Sequence, residues 1–235
     1  MYLTRFNETL REKWEGSLVS TREAKKIEPR AKEYLHRLSK LGLVKRVSWG
    51  WYYVPANEED VWSFLRKDKR FKVVIKQTAA SLWNYDFVHR NVYRLAVTSL
   101  SYRRALESFA RSREWIFEVE YHERVPYDHT ELDGLLVESP ESCLVNCVAE
   151  WSFLDAFALL CFRRDEISLN KVRKLSRWKR IARTDMRVWS AIRYACQLFN
   201  ERLGRTLFDV RDRDFRNDDV KELVEEAVEK VLEFA

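Results

Sequence analysis

Glycine, proline, cysteine and histidine are all scarce in this 235-residue chain: five Gly, four Pro, four Cys and four His. The glycines stand apart, so there is no Gly-rich phosphate loop, and no G-x-S-x-G elbow occurs. No apolar run approaches ~20 residues, so no segment is expected to cross a bilayer as a helix. Gly/Ser linkers, low-complexity tracts and internal repeats are missing too. The histidines, His36, His89, His122 and His129, are scattered; His122 and His129 flank Pro126 in a loop, where turn chemistry accounts for them. Cys143, Cys147, Cys161 and Cys196 all fall in apolar helical stretches and read as buried free thiols. Cys143 and Cys147 share a helix face, but two sulfurs without nearby His make a poor zinc site. No metal or cofactor is expected.

What is present is a large apolar inventory. Hydrophobic residues make up 46% and aromatics 14%, with nine Trp and thirteen Phe, which argues against disorder. The length allows one large or two modest domains. Charged residues reach 34% and only Gln77 and Gln197 represent glutamine, a usage typical of thermophile proteins. The opening MYLTRFNETLREKW reads as an amphipathic charged helix rather than a secretory signal, and a cytoplasmic location follows by default.

Residues 17 to 54, SLVSTREAKKIEPRAKEYLHRLSKLGLVKRVSWGWYYV, carry the strongest pattern. Ser20 and Glu23 form a capping-box pair ahead of a short helix from Thr21 to about Ile27. Pro29 suits the first turn of a second helix, Pro29 to Leu41. There Ala31, Tyr34, Leu35, Leu38 and Leu41 recur at helical spacing as one apolar stripe. The other face carries Arg30, Lys32, Glu33, His36, Arg37 and Lys40. Gly42 suits a left-handed C-cap. Two strands follow, Leu43 to Val47 and Trp51 to Val54, with Gly50 supplying the positive φ of a tight hairpin. Helix, turn, helix, hairpin is the order of a winged helix-turn-helix, a module that reads the major groove of DNA. Residues 1 to 55 hold twelve Lys/Arg and six Asp/Glu, an excess of +6 that equals that of the whole chain. Surplus cations on the candidate reading head favour a polyanion partner.

The rest reads as helix-rich α+β. A helix capped by Asn57-Glu58-Glu59-Asp60 runs to about Lys67, with Val61, Trp62, Phe64 and Leu65 apolar, and joins the two parts. Phe71 to Ile75 is expected either as a short strand or as the lead into the next helix; further expected strands are Asn91 to Thr98, Glu114 to Glu123 (alternating apolar and polar) and Leu132 to Val137. Helices are expected at Thr78 to Tyr85 and at Ser101 to Arg111, with Leu106 and Phe109 inward. After the sheet of three or four strands come helices at 140–149, 152–162, 168–178, 186–203 and 218–234, strands first and helices later. The expected division is therefore 1–56 for the winged helix, 57–70 for a linking helix and 71–235 for the α+β domain. Arg163 to Arg183 holds nine basic and two acidic residues. Val172, Leu175, Trp178 and Ile181, spaced by three, read there as an inward stripe. Its surplus is either a phosphate-contacting surface or a solvated face compensated by the acidic C-terminus, ten acidic to six basic from Arg205 onward.

From the winged-helix segment through VESPESCLVNCVAEWSFLDAFALL, residues 137 to 160, the chain resembles the AbiEi-type antitoxins and their transcriptional-regulator relatives. Their S-P-E-x-x-L-hydrophobic-x segment corresponds to Ser139-Pro140-Glu141-Ser142-Cys143-Leu144-Val145-Asn146, with Asn146 where members commonly carry an acid. The resemblance implies a repressor of its own operon, encoded beside a nucleotidyltransferase-like toxin that its second domain opposes. The Ser-Pro-Glu run also has a plain local explanation: Ser139 as N-cap, Pro140 at N1 and Glu141 at the positive helix end.

The expectation is a sequence-specific DNA-binding regulator with no enzymatic role. Arg30, Lys32 and Arg37 are the candidates for base or phosphate contact, His36 and Lys40 lie toward the backbone, and Arg46 and Trp49 form the wing. Double-stranded DNA is the expected partner, with a homodimer reading paired half-sites. Two alternatives stand beside it. One is a docking module whose winged helix binds protein. The other is a restriction-type, metal-dependent nuclease built on Asp133, Glu118, Glu120 and Glu138, but no Glu-x-Lys follows Asp133 on a strand.

Overall fold

The structure is a computed structural model describing residues 2–57, 60–68, 70, 72–88, 91–211, 215 and 217–234. Glu58 and Glu59 of the expected cap, Phe71 of the expected strand and His89 lie outside the described residues. The chain is α+β, with two small sheets. Its first half contains α1 (Leu3–Trp14), β1 (Ser17–Ser20), α2 (Thr21–Ala24), α3 (Ala31–Lys40), β2 (Lys45–Ser48), β3 (Trp51–Val54) and α4 (Val61–Lys67). Then come β4 (Lys72–Val74), α5 (Lys76–Trp83), β5 (Val92–Val97), α6 (Leu100–Arg111) and β6 (Ile116–Tyr121). The remainder is β7 (His129–Leu132), β8 (Leu135–Glu138), α7 (Pro140–Ala149), α8 (Phe153–Phe162), α9 (Leu169–Leu175), α10 (Val188–Arg202) and α11 (Asp218–Leu232).

Two compact units result. The first comprises Met1–Val73, Asn91–Val125 and Leu132–Leu135; the second comprises Val74–Arg90, Pro126–Glu131 and Leu136–Ala235. They do not follow the expected division at residues 56 and 70. Asp68 and Arg70, expected at the end of the linker, are held in the first unit by charge. Buried Asp68 accepts from Leu18 N at 3.3 Å and from Arg70 Nη1 at 3.0 Å. Arg70 in turn donates to Glu23 at 2.9 Å and lies over the Trp51 and Tyr102 rings.

In the first unit, β1, β3 and β2 form an antiparallel sheet in that order, with Ser17 opposite Val54 and Arg46 opposite Tyr52. The central strand reads Trp-Tyr-Tyr-Val and is buried throughout, as a strand covered on both faces should be. Val19, Tyr52 and Val54 join the core formed with Phe6, Leu10, Leu35 and Leu38. Tyr53 instead meets Phe109 of α6 and Phe64 of α4, with ring centroids 4.4 and 6.4 Å away. Leu106 and Phe109 are fully buried, as their spacing predicts. β5 and β6 pair in parallel, Val92 opposite Ile116 through Val97 opposite Tyr121, with α6 as the crossover.

The sequence pattern does not announce β1, because four residues wedged between two helices show too little alternation. The second helix begins at Ala31 rather than Pro29, because Glu28 turns the chain first: its carbonyl accepts Ala31 N and its carboxylate accepts Arg30 N. Leu41 is a further correction. It lies past the helix end and is 64% exposed, while Gly42 at φ 72 lets Leu43 N close on Leu38 O and sends Val44 into the core. The hairpin strand accordingly starts at Lys45, two residues later than expected.

In the second unit, α7 is the central helix. Pro140 to Val148 are all buried, and α5, α8, α9 and α10 pack around it. Residues Phe153 to Cys161 of α8 are nearly as enclosed, and α11 covers α8 and α10 through Val220, Val224, Val228 and Val231. β4 and β8 run in parallel, with Val74 opposite Val137. β7 is an added strand where the residues suggest mostly turns: His129, Thr130 and Glu131 are polar and exposed and only Leu132 is apolar, so no burial pattern marks it. The basic helix ends at Leu175, not near Trp178. Trp178 therefore leaves the inward stripe and is 78% exposed, while Ile181 is buried from a turn rather than a helix. Among the described residues, no helix is long and apolar enough to cross a membrane.

Candidate nucleic-acid interface

The basic face of α3 follows from its apolar one. Ala31, Tyr34, Leu35 and Leu38 are buried, which leaves Lys32, His36, Arg37 and Lys40 exposed on the remaining arc. Lys32, His36 and Lys40, four apart, form one ridge, and Arg37 lies on the next. None of these four side chains has an ion-pair or hydrogen-bond partner among the described residues. Arg30 is placed differently. It is the residue before the helix, and its guanidinium donates to the Tyr34 hydroxyl at 2.7 Å and lies over that ring.

The α2 helix in front is set by its capping box. Glu23 N donates to Ser20 Oγ at 3.1 Å, and Ser20 N donates to the Glu23 carboxylate at 2.8 Å. Burial pushes the Glu23 carboxyl up, but the Ser20 hydrogen bonds and the Arg70 charge outweigh it and hold the group below its ordinary value. On the hairpin, Arg46 and Trp49 come together, the guanidinium carbon 5.6 Å from the indole centroid, with Trp49 84% exposed. Gly50 at φ 73 makes the turn.

α6 supports that hairpin, a role the sequence does not signal. Ser108 Oγ donates to Val47 O at 2.7 Å, and the Trp51 indole donates to Ser101 Oγ at 2.8 Å. These partners lie 50 or more residues away along the chain, beyond the reach of any local pattern.

A second polar constellation, equally unsignalled, lies in the second unit behind the Ser-Pro-Glu run. Glu138 is fully buried at the end of β8. Its carboxylate accepts Lys76 N at 2.7 Å, Ser142 Oγ at 2.7 Å and Asn146 Nδ2. Asn146 Oδ1 accepts from Lys179 Nζ. Burial raises the Glu138 carboxyl above its ordinary value despite those donors, and burial lowers the Lys179 ammonium against the pull of Glu138. Asn146 thus bridges a buried acid and a lysine. Ser139 caps α7 and Pro140 opens it. Glu141 does more than favour the positive helix end: it accepts Ser168 N at 3.3 Å and Lys171 Nζ at 3.1 Å, fastening the start of α9.

The other expected chemistry disperses. The four cysteines are free and buried, and burial pushes the Cys143 thiol up and that of Cys196 up to about 12. His122 meets Glu120 at 3.0 Å, His129 meets Tyr127 O at 3.0 Å, and Glu118 pairs with Arg94 at 2.8 Å. Asp133 sits in a turn at φ 48. Among the described residues, no three of His, Cys, Asp and Glu converge as a metal ion would require. No family model matches the chain, and no curated protein matches it.

Proposed function

We propose that the chain is a sequence-specific DNA-binding regulator whose N-terminal segment is a winged helix-turn-helix. The order α1–β1–α2–α3–β2–β3, with the hairpin strand β3 central in an antiparallel sheet, supports that reading. The observation that carries it is the cationic arc of α3, unpaired among the described residues, in a stretch that holds the chain's entire +6 excess. α3 enters the major groove. Lys32 and Arg37 meet bases or phosphates, His36 and Lys40 meet the backbone, and Arg46 with Trp49 approaches the neighbouring groove. Arg30, held by Tyr34, presents its free edge at the start of α3.

Selecting tight binders from a pool of random duplexes tests the reading. Arg37→Ala should weaken the selected duplex by roughly 1–3 kcal/mol if Arg37 reads a guanine, and should leave random duplex less affected. No enrichment over successive rounds would defeat it. The antitoxin-like, autorepressing role rests on the resemblance at residues 137 to 160, and so does its pairing with a nucleotidyltransferase-like toxin. Rescue of growth on co-expression with a toxin encoded next to this chain tests that role. A homodimer reading paired half-sites should show as a twofold stoichiometry on the selected duplex.

A further inference from the structure

Among the described residues, no ion pair joins the basic stretch after α8 to the acidic C-terminus; its partners there are Glu166, Asp165, Asp128, Glu141 and Asp185. Of the six acids of α11, three are engaged elsewhere among the described residues: Glu225 with Tyr194 and Lys221, Glu226 with Lys230, and Glu229 with Arg202. Arg173, Lys174, Arg183 and Arg187 are exposed and have no side-chain partner among the described residues. Arg177 lies over Trp178, its guanidinium carbon 4.9 Å from the indole centroid. The C-terminal end of α9 accounts for Arg173 and Lys174, which favour the negative helix end. It leaves Arg183 and Arg187 unexplained.

Residues 179 to 188 fold back as a hairpin-like turn, closed by Ile181 N on Met186 O at 3.0 Å and Val188 N on Lys179 O at 3.1 Å. This places Arg180 directly opposite Arg187. Like charges so placed are unfavourable unless an anion joins them, and Asp185 takes up only Arg180, at 2.5 Å. The turn is also rigidly mounted. Ala182 N donates to Ala149 O at 2.8 Å, the Trp151 indole donates to Ala182 O at 2.8 Å, Ile181 is buried, and Lys179 holds Asn146. A solvated charge run has no need of such a mount.

We propose that α9 and this turn form a second nucleic-acid surface, one that takes a single strand. Arg173, Lys174, Arg183 and Arg187 hold phosphates, and Trp178, 78% exposed beside Arg177, stacks on an unpaired base. Arginine outnumbers lysine here, and its planar fork suits phosphate. The exposed face of α9 offers Asn170, Arg173 and Lys174 rather than the apolar side chains a lipid surface would require.

The test is fluorescence anisotropy of the full chain with labelled oligo-dT and oligo-rU of about 15 nucleotides. Trp178→Ala should weaken binding roughly five- to 150-fold, the worth of one stacked base, while Trp178→Phe keeps most of it. Arg183→Ala with Arg187→Ala should weaken binding and lower its salt dependence. The tighter of dT and rU names DNA or RNA. Arg37→Ala should leave the single-strand affinity unchanged, so failure of the duplex-binding reading and failure of this one are told apart. Unchanged affinity on Trp178→Ala, equal loss with Trp178→Phe, or no binding at low salt overturns the proposal. So does Trp178-dependent binding to phosphatidylserine vesicles or polyglutamate with none to either oligonucleotide.

Discussion

Arg70 shows how much one side chain can hold together. It neutralises Asp68, which is fully buried, reaches Glu23 in the α2 capping box, and covers two aromatic rings. Removing one partner of a buried pair leaves the other uncompensated, so Arg70→Ala should cost about 3–5 kcal/mol in urea unfolding. The lower end is expected, because Lys72 Nζ remains 3.9 Å from Asp68. A loss under about 1 kcal/mol, the value of an exposed pair, would place the cluster in solvent. Asn146 makes the opposite case, a neutral group that has to stay neutral. Asn146→Asp takes a donor from Glu138 and sets a second carboxylate against it, at a cost of about 1–3 kcal/mol at neutral pH. The Glu138 carboxyl already sits above its ordinary value, so its contribution to stability is complete below the usual carboxylate range and is lost as pH rises through its raised value. The variant's deficit should therefore shrink as pH falls toward that range. A deficit independent of pH in equilibrium unfolding would contradict the like-charge account.

Among the secondary elements, α3 is the most legible and its ends the least. Four buried residues at helical spacing establish its inner face, and the cationic arc is what remains. Its start is displaced by the Glu28 turn and its end by the Gly42 reversal, both settled by hydrogen bonds from outside the helix. Leu38→Ala should cost about 2–5 kcal/mol, since a side chain 1% exposed leaves a cavity. Thermal melting checks this, and an unaltered melt would mean the helix faces are reversed. For α9 the three-residue spacing of Val172, Leu175, Trp178 and Ile181 misleads. Periodicity assumes that the helix continues, whereas buried Ser176 at the C-cap ends it. Trp178 consequently stands in solvent.

Over the full chain, net charge makes a claim that salt can test. With Lys32, Arg37, Lys40 and Arg46 each on a phosphate, log K for duplex should fall by about 3–4 per tenfold increase in salt. Anisotropy across a salt series reads that slope, and a flat dependence would remove the phosphate contacts. Periodicity along residues 1 to 235 is enough to establish the α+β class and most helices, because an apolar stripe reports directly which face meets a core. The capping box, Gly42 and Gly50 are legible for the same reason: their chemistry is completed within a few residues. β1, the α6 support under the hairpin, the Asp68–Arg70–Glu23 clamp and the Glu138–Asn146–Lys179 bridge are not legible. Each joins groups distant in sequence, and which buried charge finds which partner is decided only when the packed chain excludes water and forces every polar group to a neighbour.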